Sequence, residues 1–440
     1  MAEPIQSRRR LLQGAAAMSA SAGFGMIAGC AAPSPSSTPV APAIVERRLG
    51  RIGVIGAGFG GATAARYLKH WGGSSVDVVL IERNPQFVSC PLSNLVVGGT
   101  RRIEDLTMGY QGLRDAGVTV LVDEVTQIEP TKKVVSLVKI ADQTFDRLIV
   151  APGVDFQFDQ IQGLGAEAQK TVLHAWKAGP QTVALRGRIE AMRQGGVFVL
   201  SIPRAPYRCP PGPYERVCQV AFSLKATNPS AKIIVLDANE DIQSKKGLFL
   251  KAWEPYGSMI EYRPNSLVTE VQAQDGIVVT EFGDRIRADV LNIIPPHRAG
   301  DLAQKTGLIT VNNRWCGVDW VSMESLAVPG IHVLGDAVMA APLMPKSGHM
   351  ANQHGKAAAA AILEILHGRA PQPAMMVNTC YSYVDDRNVV HVSSVHRYNS
   401  DQKTMVTVAG SGGLSSQANA LEGQYADAWA RNIWRDMFNV

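Results

Sequence analysis

The residues best suited to chemistry in this sequence are a glycine-rich loop near the start and six scattered cysteines. Gly56-Ala57-Gly58-Phe59-Gly60-Gly61 follows a short apolar run, Arg51-Ile52-Gly53-Val54-Ile55, and leads into a helix-forming stretch from Ala62 to Lys69. The spacing is G-x-G-x-x-G, with Gly56, Gly58 and Gly61 in the three places. The first glycine permits a tight turn, the second lets the backbone approach a pyrophosphate, and the third lets the helix pack closely on the strand. The helix N-terminus then faces the negative charge. A second apolar strand, Val76-Asp77-Val78-Val79-Leu80-Ile81, ends at Glu82, an acid placed to accept hydrogen bonds from a ribose. Arg83, beside it, joins the same cofactor-binding set.

The cysteines are Cys30, Cys90, Cys209, Cys218, Cys316 and Cys380, and no two form a CxxC pair. No zinc site is therefore expected. No CxxCH occurs either, so this chain does not attach a c-type haem covalently, and any haem belongs to a partner.

A second strand-loop unit has lost its phosphate chemistry. Gly196-Val197-Phe198-Val199-Leu200-Ser201-Ile202 runs into Pro203-Arg204-Ala205-Pro206-Tyr207-Arg208-Cys209-Pro210-Pro211-Gly212-Pro213. Prolines stand where glycines and free N–H groups would be needed, and proline supplies no N–H. The next strand, Ile233-Ile234-Val235-Leu236-Asp237, keeps the fold, but no NAD is expected there.

The elements that must position these residues need more than one core. A chain of 440 residues, 46% apolar and 18% charged, suits two or three globular domains. No later run of some 18 apolar residues suggests an internal membrane span. The formal charge of +5 falls to about +3 once residues 1–29, with three Arg and one Glu, are removed. So mild and scattered a charge suggests no nucleic-acid partner.

Residues 1–29 read as a twin-arginine signal peptide, from Ser7-Arg8-Arg9-Arg10-Leu11-Leu12 and the Ala/Gly/Met stretch behind it. That route exports folded proteins to the periplasm, which suits a chain that loads a cofactor first. Ile27-Ala28-Gly29-Cys30 also matches a lipoprotein processing site, so membrane attachment rests on whether Cys30 is lipidated. Residues 30–48, rich in Pro, Ala and Ser, form a flexible linker.

Resemblances then narrow the cofactor. Phe145-Asp146-Arg147-Leu148-Ile149-Val150-Ala151-Pro152-Gly153 and Ile331-His332-Val333-Leu334-Gly335-Asp336 resemble the two closing FAD signatures of two-dinucleotide flavoproteins, in which Asp336 would bind the ribitol chain. Met344-Pro345-Lys346-Ser347-Gly348 opens a helix, where Lys346 could stabilise charge on a reduced flavin. Arg208-Cys209-Pro210-Pro211-Gly212-Pro213-Tyr214-Glu215-Arg216 resembles the flavoprotein subunit of flavocytochrome c sulfide dehydrogenase. His174-Ala175-Trp176-Lys177-Ala178-Gly179, Ile294-Pro295-Pro296-His297-Arg298-Ala299-Gly300 and Asn378-Thr379-Cys380-Tyr381-Ser382 strengthen the match.

The resemblance implies an α/β chain with two doubly wound, disulfide-reductase-like domains and a small C-terminal α+β interface domain. The expected boundaries are 49–160 and 291–368 for the two parts of the FAD domain, 161–290 for the second domain and 369–440 for the interface domain. It also implies a redox-active disulfide between Cys209 and Cys316, FAD bonded covalently through Cys90, and Glu215 as proton acceptor. Pro91 and Gly317 depart from the residues that usually follow these cysteines. Hydrosulfide would open the disulfide, giving a persulfide and a thiolate whose electrons reach the flavin and then a c-type cytochrome subunit.

Two other readings stay open. A sulfide:quinone oxidoreductase would want an apolar C-terminal surface, and Tyr425, Trp429, Ile433 and Met437 recur every fourth residue, with Trp434 and Phe438 nearby. Packing of that stripe on its own domain is the reading taken. A non-catalytic flavin-binding or assembly protein fits less well with cysteines at both matched positions. Cys218 and Cys380 receive no task.

Overall fold

The first apolar run and the glycine loop fold as expected, into strand β1 (Gly50–Ile55) and helix α1 (Phe59–Gly72). The computed structural model describes residues 48–439. The signal peptide, Cys30 and most of the linker lie outside the described residues. Further strands of the first sheet are β2 (Val76–Glu82), β3 (Thr119–Val122) and β4 (Arg147–Val150), with the short helix α2 (Ser93–Gly98) between β2 and β3.

The second domain holds β5 (Val197–Ile202), α3 (Gly212–Thr227), β6 (Lys232–Asp237), α4 (Lys246–Trp253), β7 (Ile260–Arg263) and β8 (Val290–Ile293). The chain then returns through β9 (Trp315–Cys316), β10 (Ile331–Val333) and α5 (Gly348–Leu366). It ends in β11 (Met376–Tyr383), β12 (Val389–Asn399), β13 (Thr404–Thr407), β14 (Gly413–Leu414) and α6 (Ala420–Phe438).

The first sheet is parallel throughout, in the order β10-β4-β1-β2-β3. Its strands read as near-continuous Val/Ile/Leu because a parallel sheet is covered on both faces. Ile52, Val54, Leu80, Ile149 and Val333 are each at most 1% exposed. The strand β10 reaches this sheet only after the second domain has been completed, so the FAD-type domain is split in sequence.

The second sheet, β7-β6-β5-β8, is also parallel. One boundary moves. The expected break at 290/291 falls inside β8, because Phe198–Ser201 pairs with Val290–Ile293 and that pairing holds the strand in the second sheet. The crossing segments pair with each other just outside it, Val154–Phe156 against His297–Ala299.

The last part is an antiparallel sheet, β11-β12-β13 with β14 on β12, covered by α6. The apolar stripe of α6 faces inward. Ile433, Met437 and Phe438 are buried, and the Phe438 ring lies 5.0 Å from Phe87 and 6.0 Å from Tyr110. Burying each such side chain is worth about 1.5–3 kcal/mol, which fixes the helix to the FAD-type domain. Tyr425 alone of the stripe is more than half exposed. Among the described residues no helix is long and apolar enough to cross a membrane.

Candidate functional site

The glycine loop is built for close approach by a ligand. Gly56 adopts φ +94, in the region glycine favours, and a β-carbon at Gly61 would lie 1.8 Å from the Gly56 carbonyl oxygen. A β-carbon at Gly58 would meet nothing within 4 Å. Gly58 opens instead onto an elongated cleft with about 1320 Å³ of empty space. Glu82 stands at the end of β2 beside this loop. One carboxylate oxygen accepts from the Ala57 N–H at 2.8 Å and the other from Asn84. Arg83, beside it, is exposed and lies 4.0 Å from Glu124.

The cleft runs from this loop past Ala151, Gly153, Gly335 and Asp336 to Cys90, Cys209 and Cys380. Asp336 Oδ1 is buried and makes no hydrogen bond within the protein. Burial raises its pKa, against the pull of Arg208 and Lys346. A buried acceptor without a donor, in line with an open glycine cradle, fits the hydroxyl-bearing chain and pyrophosphate of a dinucleotide. Lys346 Nζ donates to the carbonyls of Asp336 (3.0 Å) and Val338 and sits 3.7 Å over the Trp315 ring, while burial lowers its pKa to about 7. Its backbone carbonyl accepts from Cys209 N–H at 2.8 Å.

The cysteines stand in two places. Cys316 is fully buried in β9, paired with Ile309 and bridged to Val338, and it does not line the cleft. The Lys346 ammonium is near enough to Cys316 to act on its thiol, and the Lys346 carbonyl accepts from Cys209 N–H. Cys380, on β11, lines the same cleft as Cys209. Burial pushes both up. Cys209 is held at φ +56, a left-handed conformation that costs a residue with a β-carbon. The Cys209–Lys346 bond and the bond from Arg208 N–H to His297 Nδ1 (3.0 Å) pin that loop.

The three cleft cysteines converge on Glu215. Its Oε1 accepts from Tyr383 N–H at 2.8 Å, three residues after Cys380, and its Oε2 from Asn94 at 2.8 Å, four residues after Cys90. Burial raises the Glu215 pKa, opposed by these bonds and by Lys245 and Arg216. Two cations escaped the sequence reading. Arg208 lies among Cys90, Asp336 and Cys209. Burial works against its charge, but these neighbours outweigh burial and hold its pKa above the ordinary value. Lys245 reaches the same cluster from the start of α4. Cys90 receives a hydrogen bond from Ala178 N–H at 3.5 Å.

In the second domain, the strand-end acid Asp237 is filled by its own neighbours. Tyr214 and Tyr262 donate to it at 2.7 and 3.0 Å, and Asn239 donates from both nitrogens. Cys218 is buried in α3. Among the described residues no cluster of acids, cysteines and histidines is arranged to hold a metal.

Fold and cleft together define a flavoprotein of the two-dinucleotide-binding-domain class. Residues 50–182 match the pyridine nucleotide-disulphide oxidoreductase model. Residues 182–295 match the central domain of the sulfide dehydrogenase [flavocytochrome c] flavoprotein chain, and 372–438 match the flavin-binding domain of flavocytochrome c sulphide dehydrogenase. The sulfide dehydrogenase [flavocytochrome c] flavoprotein chain of Chlorobaculum thiosulfatiphilum is 48% identical over 46 residues, 10% of this chain and 94% of that sequence. This chain belongs to that flavoprotein family.

It is also similar to the mitochondrial sulfide:quinone oxidoreductase of Dictyostelium discoideum, 20% identical over 296 residues. That match spans 65% of each protein, just short of two thirds of the relative's length. The structure of the Aquifex aeolicus sulfide:quinone oxidoreductase aligns with a TM-score of 0.70 at 15% identity, covering 88% of this chain and 91% of that one. At that identity the likeness shows the fold.

Proposed function

We propose that this chain oxidises sulfide to sulfur or polysulfide through a disulfide between Cys209 and Cys316, and passes the electrons by way of FAD to a c-type cytochrome subunit. The observation that carries this reading is the single cleft lined by Cys90, Cys209, Cys380 and Glu215. Flavin, when bound, supplies an electron-pair acceptor that can release electrons singly. The glycine loop, Glu82 and the Asp336 carboxylate would hold it, with Cys90 as its covalent link. Glu215, its pKa raised by burial, is suited to take the proton that leaves the sulfur substrate.

The proline-rich loop after β5 and the occupied Asp237 support the absence of a nicotinamide site. The inward-facing stripe of α6 favours a protein acceptor over a membrane quinone. The twin-arginine pattern supports export to the periplasm, with lipid attachment at Cys30 as the anchored form.

Mixed anaerobically with sulfide, the FAD-loaded protein should lose its flavin absorbance, and NADH should leave that absorbance unchanged. Bleaching by NADH and none by sulfide would sink the reading. For the covalent link, acid-precipitated parent protein should keep its flavin in the pellet, whereas Cys90→Ser should release it to the supernatant. A parent that releases its flavin would rule the thioether out.

A further inference from the structure

The loop that carries Cys209 cannot hold its shape by its own backbone. Five of its eleven residues from Pro203 to Pro213 are proline and donate no hydrogen bond. Yet it keeps Cys209 at φ +56, a conformation that persists only where the surroundings enforce it. On one side the Lys346 carbonyl and His297 Nδ1 receive the Cys209 and Arg208 N–H groups. On the second-domain side the anchors trace back to Asp237, at the end of β6. Its Oδ1 accepts from the backbone N–H (3.0 Å) and Nδ2 (2.7 Å) of Asn239. Asn239 in turn donates to the Pro203 carbonyl at 3.0 Å and accepts from Ala205 N–H at 2.9 Å. Asp237 Oδ2 accepts from Tyr214 at 2.7 Å, and the Tyr214 hydroxyl lies 3.5 Å from that of Tyr207. The Tyr214 proton is engaged by Asp237, so Tyr207 is the donor between them and shares its proton with the Pro210 carbonyl at 3.3 Å. Pro210 directly follows Cys209. Asp237 and Tyr214 are 0% exposed and Tyr207 2%, so the whole chain of contacts is shielded from water.

We propose that Asp237 is a positioning residue for Cys209. In a nucleotide-binding domain the acid at this strand end meets a ribose. Here the same carboxylate carries the cysteine loop, through Asn239 at its start and through Tyr214 and Tyr207 at its tip. This rests on the reading of Cys209 as one half of the redox disulfide given above. All four groups on the carboxylate are donors: two from Asn239, one from Tyr214 and one from Tyr262. Asp237→Asn therefore turns an amide N–H toward either Asn239 or the tyrosine hydroxyls, donor against donor. With the loop released, the Cys209 sulfur spends less time where its partner thiol can reach it, and a disulfide whose thiols are less well placed is easier to reduce. Tyr262, on β7, supplies the control. It donates to the same Oδ2 at 3.0 Å, and among the described residues its hydroxyl makes no bond to the loop. Its loss weakens the acid's surroundings without cutting either route to Cys209.

The test needs no sulfide. The FAD-loaded protein is equilibrated anaerobically in buffers of graded reduced-to-oxidised dithiothreitol ratio. Thiols are then trapped with iodoacetamide, and the oxidised fraction of Cys209 is read by peptide mass spectrometry. Asp237→Asn and Asn239→Ala should each be half reduced at a ratio roughly three- to tenfold lower than the parent requires. Tyr262→Phe should stay within about twofold of the parent, since the bond it removes is worth no more than the others but does not lead to the loop. A midpoint that overlays the parent in either loop variant would overturn the proposal. So would a Tyr262→Phe shift as large as theirs, which would mark a general loosening of the domain. If Asp237→Asn does not retain flavin, the partly exposed Asn239 decides through its alanine variant alone. A parent whose Cys209 alkylates fully before any reductant is added would instead sink the disulfide reading itself, and this role with it.

Discussion

Cys209→Ser and Cys316→Ser should each slow flavin reduction by sulfide by roughly 10³-fold or more, while Cys380→Ser stays near the parent rate. Serine nearly preserves the volume but cannot form a disulfide, so either change removes the bond that hydrosulfide must open. Cys380 lines the cleft, and its substitution puts a hydroxyl in place of a thiol there, which should cost about 1 kcal/mol of stability without removing that bond. Anaerobic stopped-flow absorbance on the three variants makes the comparison. An active Cys316→Ser beside an inactive Cys380→Ser would discard the Cys209–Cys316 pairing and point to Cys380 as the partner.

The two cysteine assignments also show where the sequence was readable. Gly56, Gly58, Gly61 and Glu82 are local signals, because strand, turn, helix and acid follow one another along the chain. The structure builds them in that order. The prolines of the second loop are a local signal of the same kind, since proline acts on its own backbone. A disulfide partner is different. Cys209 lies 107 residues from Cys316 and 171 from Cys380, and neither separation reports distance in space. The Asn378–Ser382 segment was noticed as part of the resemblance, but only the folding of β11 against α3 and α5 brings its cysteine to the cleft.

Lys245 and Arg208 were missed because a charged residue in a polar stretch reads as solvent-exposed, and their burial depends on strands contributed from elsewhere. Lys346 stands just before the helix start, and Trp315 with two carbonyls, contributed from elsewhere in the chain, takes up its ammonium.

Arg216→Met should be the most destabilising of the changes considered, by about 3–5 kcal/mol. The guanidinium is 1% exposed and donates to Asn94 Oδ1 (3.0 Å), the His174 and Ala175 carbonyls (2.9 and 2.7 Å) and Asn292 Oδ1 (3.0 Å). It also lies 4.9 Å over the Trp176 ring. Burial lowers its pKa to about 10, but that still leaves it charged at neutral pH. Methionine would fill much of the space and leave four buried acceptors without that donor, each worth about 1–3 kcal/mol before relaxation. Arg216→Lys should recover less than half of the loss, since an ammonium cannot reproduce the planar fork.

The damage should reach the site through one identifiable contact. Asn94 is oriented by Arg216 on its oxygen and holds Glu215 through its nitrogen, so losing the guanidinium frees the amide to rotate. Glu215 then keeps its bond to Tyr383 N–H but loses the neighbouring charge. Urea unfolding of parent, Arg216→Met and Arg216→Lys, read by both tryptophan and flavin fluorescence, measures the cost. A Met variant with the parent's midpoint would show that this network contributes little. The flavin signal unfolding ahead of the tryptophan signal in Arg216→Met would show that Arg216 ties the second domain to the cleft.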